Sequence, residues 1–181
     1  MIRSPAWALH HVYILGIVGV ILGGFSYQFF LSELPCPLCM LQRMCMIAAA
    51  IPSALALVYG CKPQFYGMSI VAALIGAAIS TRQILTHICN VEDPGYGTPI
   101  MGAHAYTWAL VVFMTVILVC AINLMVPSQF SQSPPFKRRS VTRMTLWALL
   151  LVALANAVAS LAIAGFSWFL PDNPTSYLLF G

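Results

Sequence analysis

Apolar residues run along this chain in five stretches of about twenty, the length a helix needs to cross the hydrocarbon core of a bilayer, and the breaks between them are mostly short. The stretches extend roughly from Val12 to Leu31, Leu38 to Tyr59, Tyr66 to Leu85, Ala105 to Met125 and Thr145 to Leu170. The breaks carry residues that end helices: Pro35 and Pro37 in the first, Gly60 and Pro63 in the second, and Pro94, Gly95, Gly97 and Pro99 in the third. Pro52 falls inside the second stretch and predicts a kink, which membrane helices tolerate. Gly19 and Gly23 make a GxxxG spacing in the first, a weak mark of close helix contact.

Composition narrows the class. Of 181 residues, 61% are apolar and 7% charged, with a mean hydropathy of +0.91, whereas a soluble domain carries roughly 25% charged residues. A soluble fold is excluded, and so is disorder, which needs polar, charge-rich sequence. Six cysteines are too sparse in so apolar a chain for a secreted disulfide scaffold. The expected fold is an all-α integral membrane protein. Residues 1–125 are expected to form a four-helix transmembrane bundle, 126–144 a cytoplasmic basic linker, and 145–181 a fifth transmembrane helix with a short outer tail. The first stretch is read as a retained helix, because Tyr27-Gln28-Phe29-Phe30 is not a small-residue cleavage site.

Charge sets the expected orientation. Arg3, Lys62, Lys137, Arg138, Arg139 and Arg143 fall on one side, and Glu33, Glu92, Asp93 and Asp172 on the other. Lys and Arg favour the cytoplasm, so the N-terminus is expected inside and the breaks around Pro35 and Pro94 outside, in the periplasm of a bacterial inner membrane. Half of the eight basic residues lie between Lys137 and Arg143, a membrane-orientation pattern that gives no reason to expect a nucleic-acid partner.

The candidate chemistry is concentrated in Cys36-Pro37-Leu38-Cys39 and the following Met40-Leu41-Gln42-Arg43. Two cysteines at CxxC spacing can close a small disulfide ring at a helix start, where the helix dipole favours thiolate. The outer face allows a disulfide to persist. Arg43 follows Cys39 by four residues, about 40° around the helix and one turn deeper. A cation at that depth is costly and points to function, stabilising a thiolate or a reduced quinone oxygen. Snorkelling to headgroups is the plainer alternative. A zinc or copper site also stays open, with Cys36, Cys39, Cys89, His87 and His104 as outward candidates. The prolines and the missing second CxxC argue against it.

The string CPLCxLQR after a first transmembrane helix resembles the DsbB family of membrane disulfide-generating proteins. The second outer loop, Gly95-Tyr96-Gly97-Thr98-Pro99 followed by His104-Ala105-Tyr106-Thr107-Trp108, is similar to that of one branch. The resemblance covers residues 8 to 125. It implies a four-helix bundle that oxidises a periplasmic DsbA-like thioredoxin-fold partner and passes two electrons to a membrane quinone, ubiquinone or menaquinone. It implies a redox-active disulfide between Cys36 and Cys39, with Arg43 on the quinone side; Gln42, next to it in the motif, and His87 join it as cofactor-binding candidates. The partner's thiolate is expected to attack Cys36, taken as the more exposed sulfur, with the quinone at the outer ends of the second and third helices.

Two features depart from the family. Its typical members carry a second cysteine pair between helices three and four, where this chain has only Cys89. Cys120 lies mid-way along the fourth helix, too far to pair with it. Cys89 is either an accessory thiol or a reduced interfacial residue. The fifth helix is the other departure. Cys45, Cys61 and Cys120 read as small apolar packing residues, His10 and His11 as inner-interface residues, and the loop aromatics as interfacial anchors. Arg82 either faces the bundle or snorkels, and His104 either caps the fourth helix or orders the loop. The rival function is a non-catalytic membrane assembly or metal-binding protein that uses the CxxC pair as a staple or ligand.

Overall fold

The computed structural model describes residues 5–88, 95–127, 130, 139–166, 174 and 176–179. Five helices account for most of them: α1 (Pro5–Phe30), α2 (Pro37–Tyr59), α3 (Pro63–Ile88), α4 (Ala105–Leu124) and α5 (Arg139–Ala164). All five are long and apolar enough to cross a membrane, and the one bridge among the described residues joins Ile100 to Ala103. The protein is an all-α multi-pass membrane protein.

The helices outrun the apolar stretches where polar residues continue the turn. α1 starts at Pro5, so His10 and His11 are helical, and α3 runs through Thr86 and His87. α5 starts at Arg139, earlier than the expected Thr145, so Arg143 belongs to its first turns. The basic residues Lys137 and Arg138, and the expected end of the fifth helix at Leu170, lie outside the described residues.

α2 is the hub of the bundle. α3 packs along it, α4 packs along α3 and touches α2, and α1 and α5 pack on its other side. Small residues permit the α2–α3 approach, with Ala49, Ala50 and Ala56 buried on one helix and Ser69, Ala73 and Ala77 on the other. Gly76 is required where α3 meets α4: a Cβ there would lie 2.2 Å from the buried Phe113 ring. Pro52 cannot donate to the Ala48 carbonyl. One residue on, the Ala49 carbonyl accepts from Tyr13 Oη and Ser69 Oγ, both at 2.9 Å.

Outward faces carry Leu15, Leu22, Val71, Leu74, Leu118 and Leu151, all exposed, as lipid contact requires. Gly19 and Gly23 meet no neighbour within 4 Å of an added Cβ, so the GxxxG spacing marks no close helix contact. In α5 the polar residues Thr142, Thr145 and Asn156 are buried, which leaves apolar side chains for lipid. Gly165, at φ 56, ends this region, and the tail returns on it: Leu179 N–H donates to the Ala162 carbonyl at 3.1 Å.

α1 and α4 both lean on α2 but scarcely on each other. The outer end therefore holds a cleft between them.

Candidate active site

The start of α2 is built by its own sequence. Cys36 is the N-cap, extended at φ −66 and ψ 163, and Pro37 fills the first helical turn where its missing N–H costs nothing. Cys36 Sγ accepts the Cys39 backbone N–H at 3.2 Å, as a capping side chain does. The two sulfurs lie 2.7 Å apart, so the pair is placed to close a disulfide. Cys36 Sγ donates to Cys39 Sγ. That hydrogen bond first, and burial second, push the Cys36 thiol well above the ordinary thiol range, so in the reduced pair Cys36 keeps its proton.

The expected exposure of the two sulfurs is reversed. Cys36 is 5% exposed, while Cys39 is half-buried and faces the cleft. The cause is the outer loop. Tyr96 Oη donates to the Leu34 carbonyl, and Thr98 donates through its hydroxyl and through its N–H, the latter at 3.1 and 3.2 Å, to the Glu33 carboxylate. These bonds tie the 95–98 segment to the segment that leads into Cys36. Gly95 is needed in the fold of this loop: its φ is +82, and a Cβ would lie 2.5 Å from His104 Nε2. His104 Nδ1 stands 3.1 Å from the Gly97 carbonyl, so His104 orders the loop.

A residue absent from the sequence reading sits closest to the sulfurs. Gln83 of α3 is 1% exposed, and its Nε2 donates to Cys36 Sγ at 3.2 Å and to Cys39 Sγ at 3.5 Å. Gln42 Nε2 donates to Gln83 Oε1 at 2.9 Å. Its neighbour Arg82 is exposed, away from the bundle interior.

Arg43 faces inward. Its Nη2 donates to the Gly24 carbonyl at 2.9 Å, its Nη1 donates to Gln28 Oε1 at 3.0 Å, and the guanidinium lies 5.1 Å from the Phe25 ring centroid. All three partners are on α1, so the cation is held across a helix interface rather than among headgroups. Gly24 makes room for it, since an added Cβ would lie 3.1 Å from Nη2. Gln28, itself buried, also reaches Tyr177 Oη in the tail at 3.4 Å.

A cavity of about 220 Å³ joins these groups. Cys39, Gln42, Arg43 and Met46 of α2, Gly23, Gly24 and Tyr27 of α1, Tyr106, Trp108 and Ala109 of α4, and Tyr96 to Thr98 of the loop line it. The cavity thus lies at the outer end of α2 as expected, but between α1, α2 and α4 rather than against α3, because α3 packs tightly on α2 and α4 while α1 and α4 stay apart. His87 is not in its wall: the imidazole stacks on the Tyr106 ring at 5.4 Å, with His104 on Tyr106 at 5.3 Å. The loop aromatics do more than anchor. Tyr106 is buried, and Trp108 Nε1 donates to the Ile100 carbonyl at 3.0 Å, which pins the loop beside the cavity.

Cys120 packs in the core, and Cys45 is half-buried against it. Cys89 lies outside the described residues. His10 and His11 are buried rather than interfacial. His11 donates to the Trp7 carbonyl at 2.9 Å and meets Thr142 Oγ1 of α5 at 3.5 Å. Among the described residues, no three His, Cys, Asp or Glu side chains converge as metal ligands.

Known proteins resemble the same part of the chain. The family model described as "Disulfide bond formation protein DsbB" matches residues 6–94. A curated relative, "Disulfide bond formation protein B 1" of Pseudomonas fluorescens (strain Pf0-1), is 31% identical over 105 residues, covering 54% of this chain and 48% of its own length. The chain therefore spans about half the length of the curated relative it matches. No solved structure matches.

Proposed function

Over residues 6–94 the chain belongs to the DsbB family, and from that premise we propose that it is a membrane thiol–disulfide oxidoreductase. It reoxidises a DsbA-like dithiol partner in the periplasm and passes the electrons to a membrane quinone, supporting protein disulfide formation. The observation that carries this reading is the joint presence of Cys39 and Arg43 in the wall of one cavity.

The cavity suits the acceptor. Met46, Tyr106, Trp108 and Ala109 offer apolar and aromatic surface for a flat ring, and Gln42 and Arg43 offer N–H donors for ring oxygens. A quinone held there by Gln42 and Arg43 would supply a two-electron, two-proton acceptor for the dithiol.

The protein's own part is thiol exchange. A partner thiolate attacks Cys36 Sγ and forms a mixed disulfide. The Cys36–Cys39 bond breaks, and its electron pair leaves on Cys39 Sγ. The partner's second thiol gives up its proton and attacks the partner sulfur of the mixed disulfide. The partner departs as a disulfide, and two electrons and one proton remain on the pair, the proton on Cys36 and the negative charge on Cys39. Attack at Cys36 is the order that delivers the leaving sulfur to the cavity, since Cys39 lines it and Cys36 does not. Because Cys36 lies beneath the 95–98 segment, the partner must first displace the Tyr96 and Thr98 hydrogen bonds.

In this reading residues 1–125 are the redox unit in the bacterial inner membrane, with the N-terminus cytoplasmic and the CxxC facing the periplasm. Lys62 and Arg143 near the opposite end of the bundle from Glu33 support that orientation. Residues 126–138 lead into α5 (Arg139–Ala164), which packs on α1 and α2.

The test is quinone-dependent oxidation of a reduced thioredoxin-fold protein by the chain in lipid nanodiscs. Turnover is expected for the wild type and background for Cys36→Ser. An unchanged rate in Cys36→Ser overturns the proposal and returns the pair to a structural staple.

A further inference from the structure

Gln83 is a buried polar side chain at the outer end, 1% exposed, and the exchange chemistry above leaves it without a role. Burying an amide is costly for each group left unpaired, and a leucine would fill the position without that cost. The amide's hydrogen bonds go to the reacting atoms. Its N–H groups donate to Cys36 Sγ at 3.2 Å and Cys39 Sγ at 3.5 Å, and its oxygen accepts from Gln42 Nε2 at 2.9 Å, with Cys39 Sγ a longer contact at 3.9 Å. The pairing with Gln42 favours the orientation in which the nitrogen faces the sulfurs.

We propose that Gln83 is a catalytic residue of the dithiol chemistry, whose carboxamide N–H groups stabilise the negative charge that arrives on sulfur when the Cys36–Cys39 bond breaks. The proposal rests on the reading of this pair as redox-active. A disulfide sulfur is a weak acceptor, whereas a thiolate takes a charge-assisted hydrogen bond roughly twice as strong as a neutral one. Burial strengthens the difference, because water does not compete. The amide therefore favours the reduced pair over the disulfide and makes the pair a stronger oxidant. It also speeds the opening step, since a thiolate leaves faster when its charge is stabilised. No electrons or protons pass through Gln83: the electron pair goes from the S–S bond to Cys39, and the amide only donates hydrogen bonds to it.

The experiment uses the full chain in nanodiscs, with Cys45, Cys61, Cys89 and Cys120 replaced by alanine, and dithiothreitol as the probe. Equilibrium with dithiothreitol reads the stability of the disulfide, and stopped-flow mixing reads the opening rate; neither needs partner or quinone. For Gln83→Met the equilibrium constant for reduction is expected to fall about tenfold, which is ~30 mV for a two-electron couple, with a similar fall in opening rate. Gln83→Glu, which sets a carboxylate against the sulfurs, is expected to fall further above neutral pH and to recover part of the loss in acid. Should Gln83→Met fail to fold, Gln42→Leu, which frees the Gln83 oxygen, is expected to shift both quantities the same way by about threefold. Wild-type values in the folded variants overturn the proposal. That outcome differs from failure of the underlying reading, in which the wild-type chain itself would not turn over with partner and quinone.

Discussion

At the inner end of the bundle, Cys61 Sγ lies 3.5 Å from His10 Nε2, which also meets Tyr66 Oη at 3.1 Å, while His10 Nδ1 meets Ser53 Oγ at 3.2 Å. At the outer end, Cys36 and Cys39 meet Gln83, with Arg43 nearby along the cavity. Both ends bury sulfur among polar groups, yet their chemistry differs. The inner cluster ties α1, α2 and α3 together around one imidazole, and burial pushes the single Cys61 thiol above its usual range, toward inertness. The outer cluster holds two sulfurs within bonding reach, an amide that donates to both, and a cavity. A cysteine's chemistry follows from a second sulfur, donors for its charge and room for an acceptor, more than from burial.

If that contrast is right, the two ends respond differently to substitution. The largest effect is expected from Arg43→Met. It removes the cavity's cation and the donors to Gln28 Oε1 and the Gly24 carbonyl. Quinone-dependent turnover should fall by about 10²-fold, the scale of losing one preorganised electrostatic group, while Cys61→Ala at the inner end leaves turnover within about twofold. Steady-state assays of both variants make the comparison, and an Arg43→Met rate near wild type would break it. Next comes Gly23→Leu. Gly23 lines the cavity, and an added Cβ meets nothing within 4 Å, so the side chain can occupy cavity space without disturbing the fold. The KM for quinone should rise about tenfold, equivalent to ~1.4 kcal/mol, with dithiol exchange at Cys36 unchanged.

These residues were unequally legible. The spans could be read because lipid leaves helices little choice but to be apolar, and Cys36, Cys39 and Arg43 because they share one helix end, where spacing fixes relative position. Gln83 lies on another helix, 44 residues from Cys39, and no local spacing links them. A signal was nonetheless present in α3: Ser69, Ala73, Gly76, Ser80 and Gln83 recur at intervals of three and four, a stripe of small and polar residues that marks an interior face. Gln83 ends that stripe at the level of the sulfurs. The cavity's position was not legible, because it depends on α1 and α4 standing apart, a property of the whole packing. The burial of Cys36 was hidden for a similar reason: it is imposed by Tyr96 and Thr98, some sixty residues away along the chain.

The inner end should show its role as stability rather than rate. His10→Ala leaves Ser53 Oγ without its imidazole partner in a buried setting and takes one partner from Tyr66, and an unsatisfied buried group costs about 1–3 kcal/mol. Thermal melts in nanodiscs should register the loss, while the folded fraction keeps turnover within about twofold. A large fall in turnover per folded molecule would mean that the ends are coupled, and the division drawn above would fail.

The smallest effect concerns the loop over Cys36. Burial first, then the electrostatic influence of the neighbouring Cys36–Cys39 pair and the Glu33 carboxylate, push the Tyr96 phenol up from 10.0 to about 12. The folded state thus holds this proton more tightly than the unfolded chain. Its stabilising contribution is complete below about pH 10 and is lost as pH climbs through 12, because only the neutral phenol donates to the Leu34 carbonyl. Melting temperature should therefore decline between those values in the wild type, and Tyr96→Phe should flatten that part of the curve. The same variant, lacking the bond that holds the loop down, should let a dithiol reach Cys36 about threefold faster at neutral pH, a gain of ~0.6 kcal/mol in access. His10→Ala should not change that rate. If Tyr96→Phe left both the alkaline slope and the access rate untouched, the loop would not be what shields Cys36, and the reversal of exposure between the two sulfurs would need another cause.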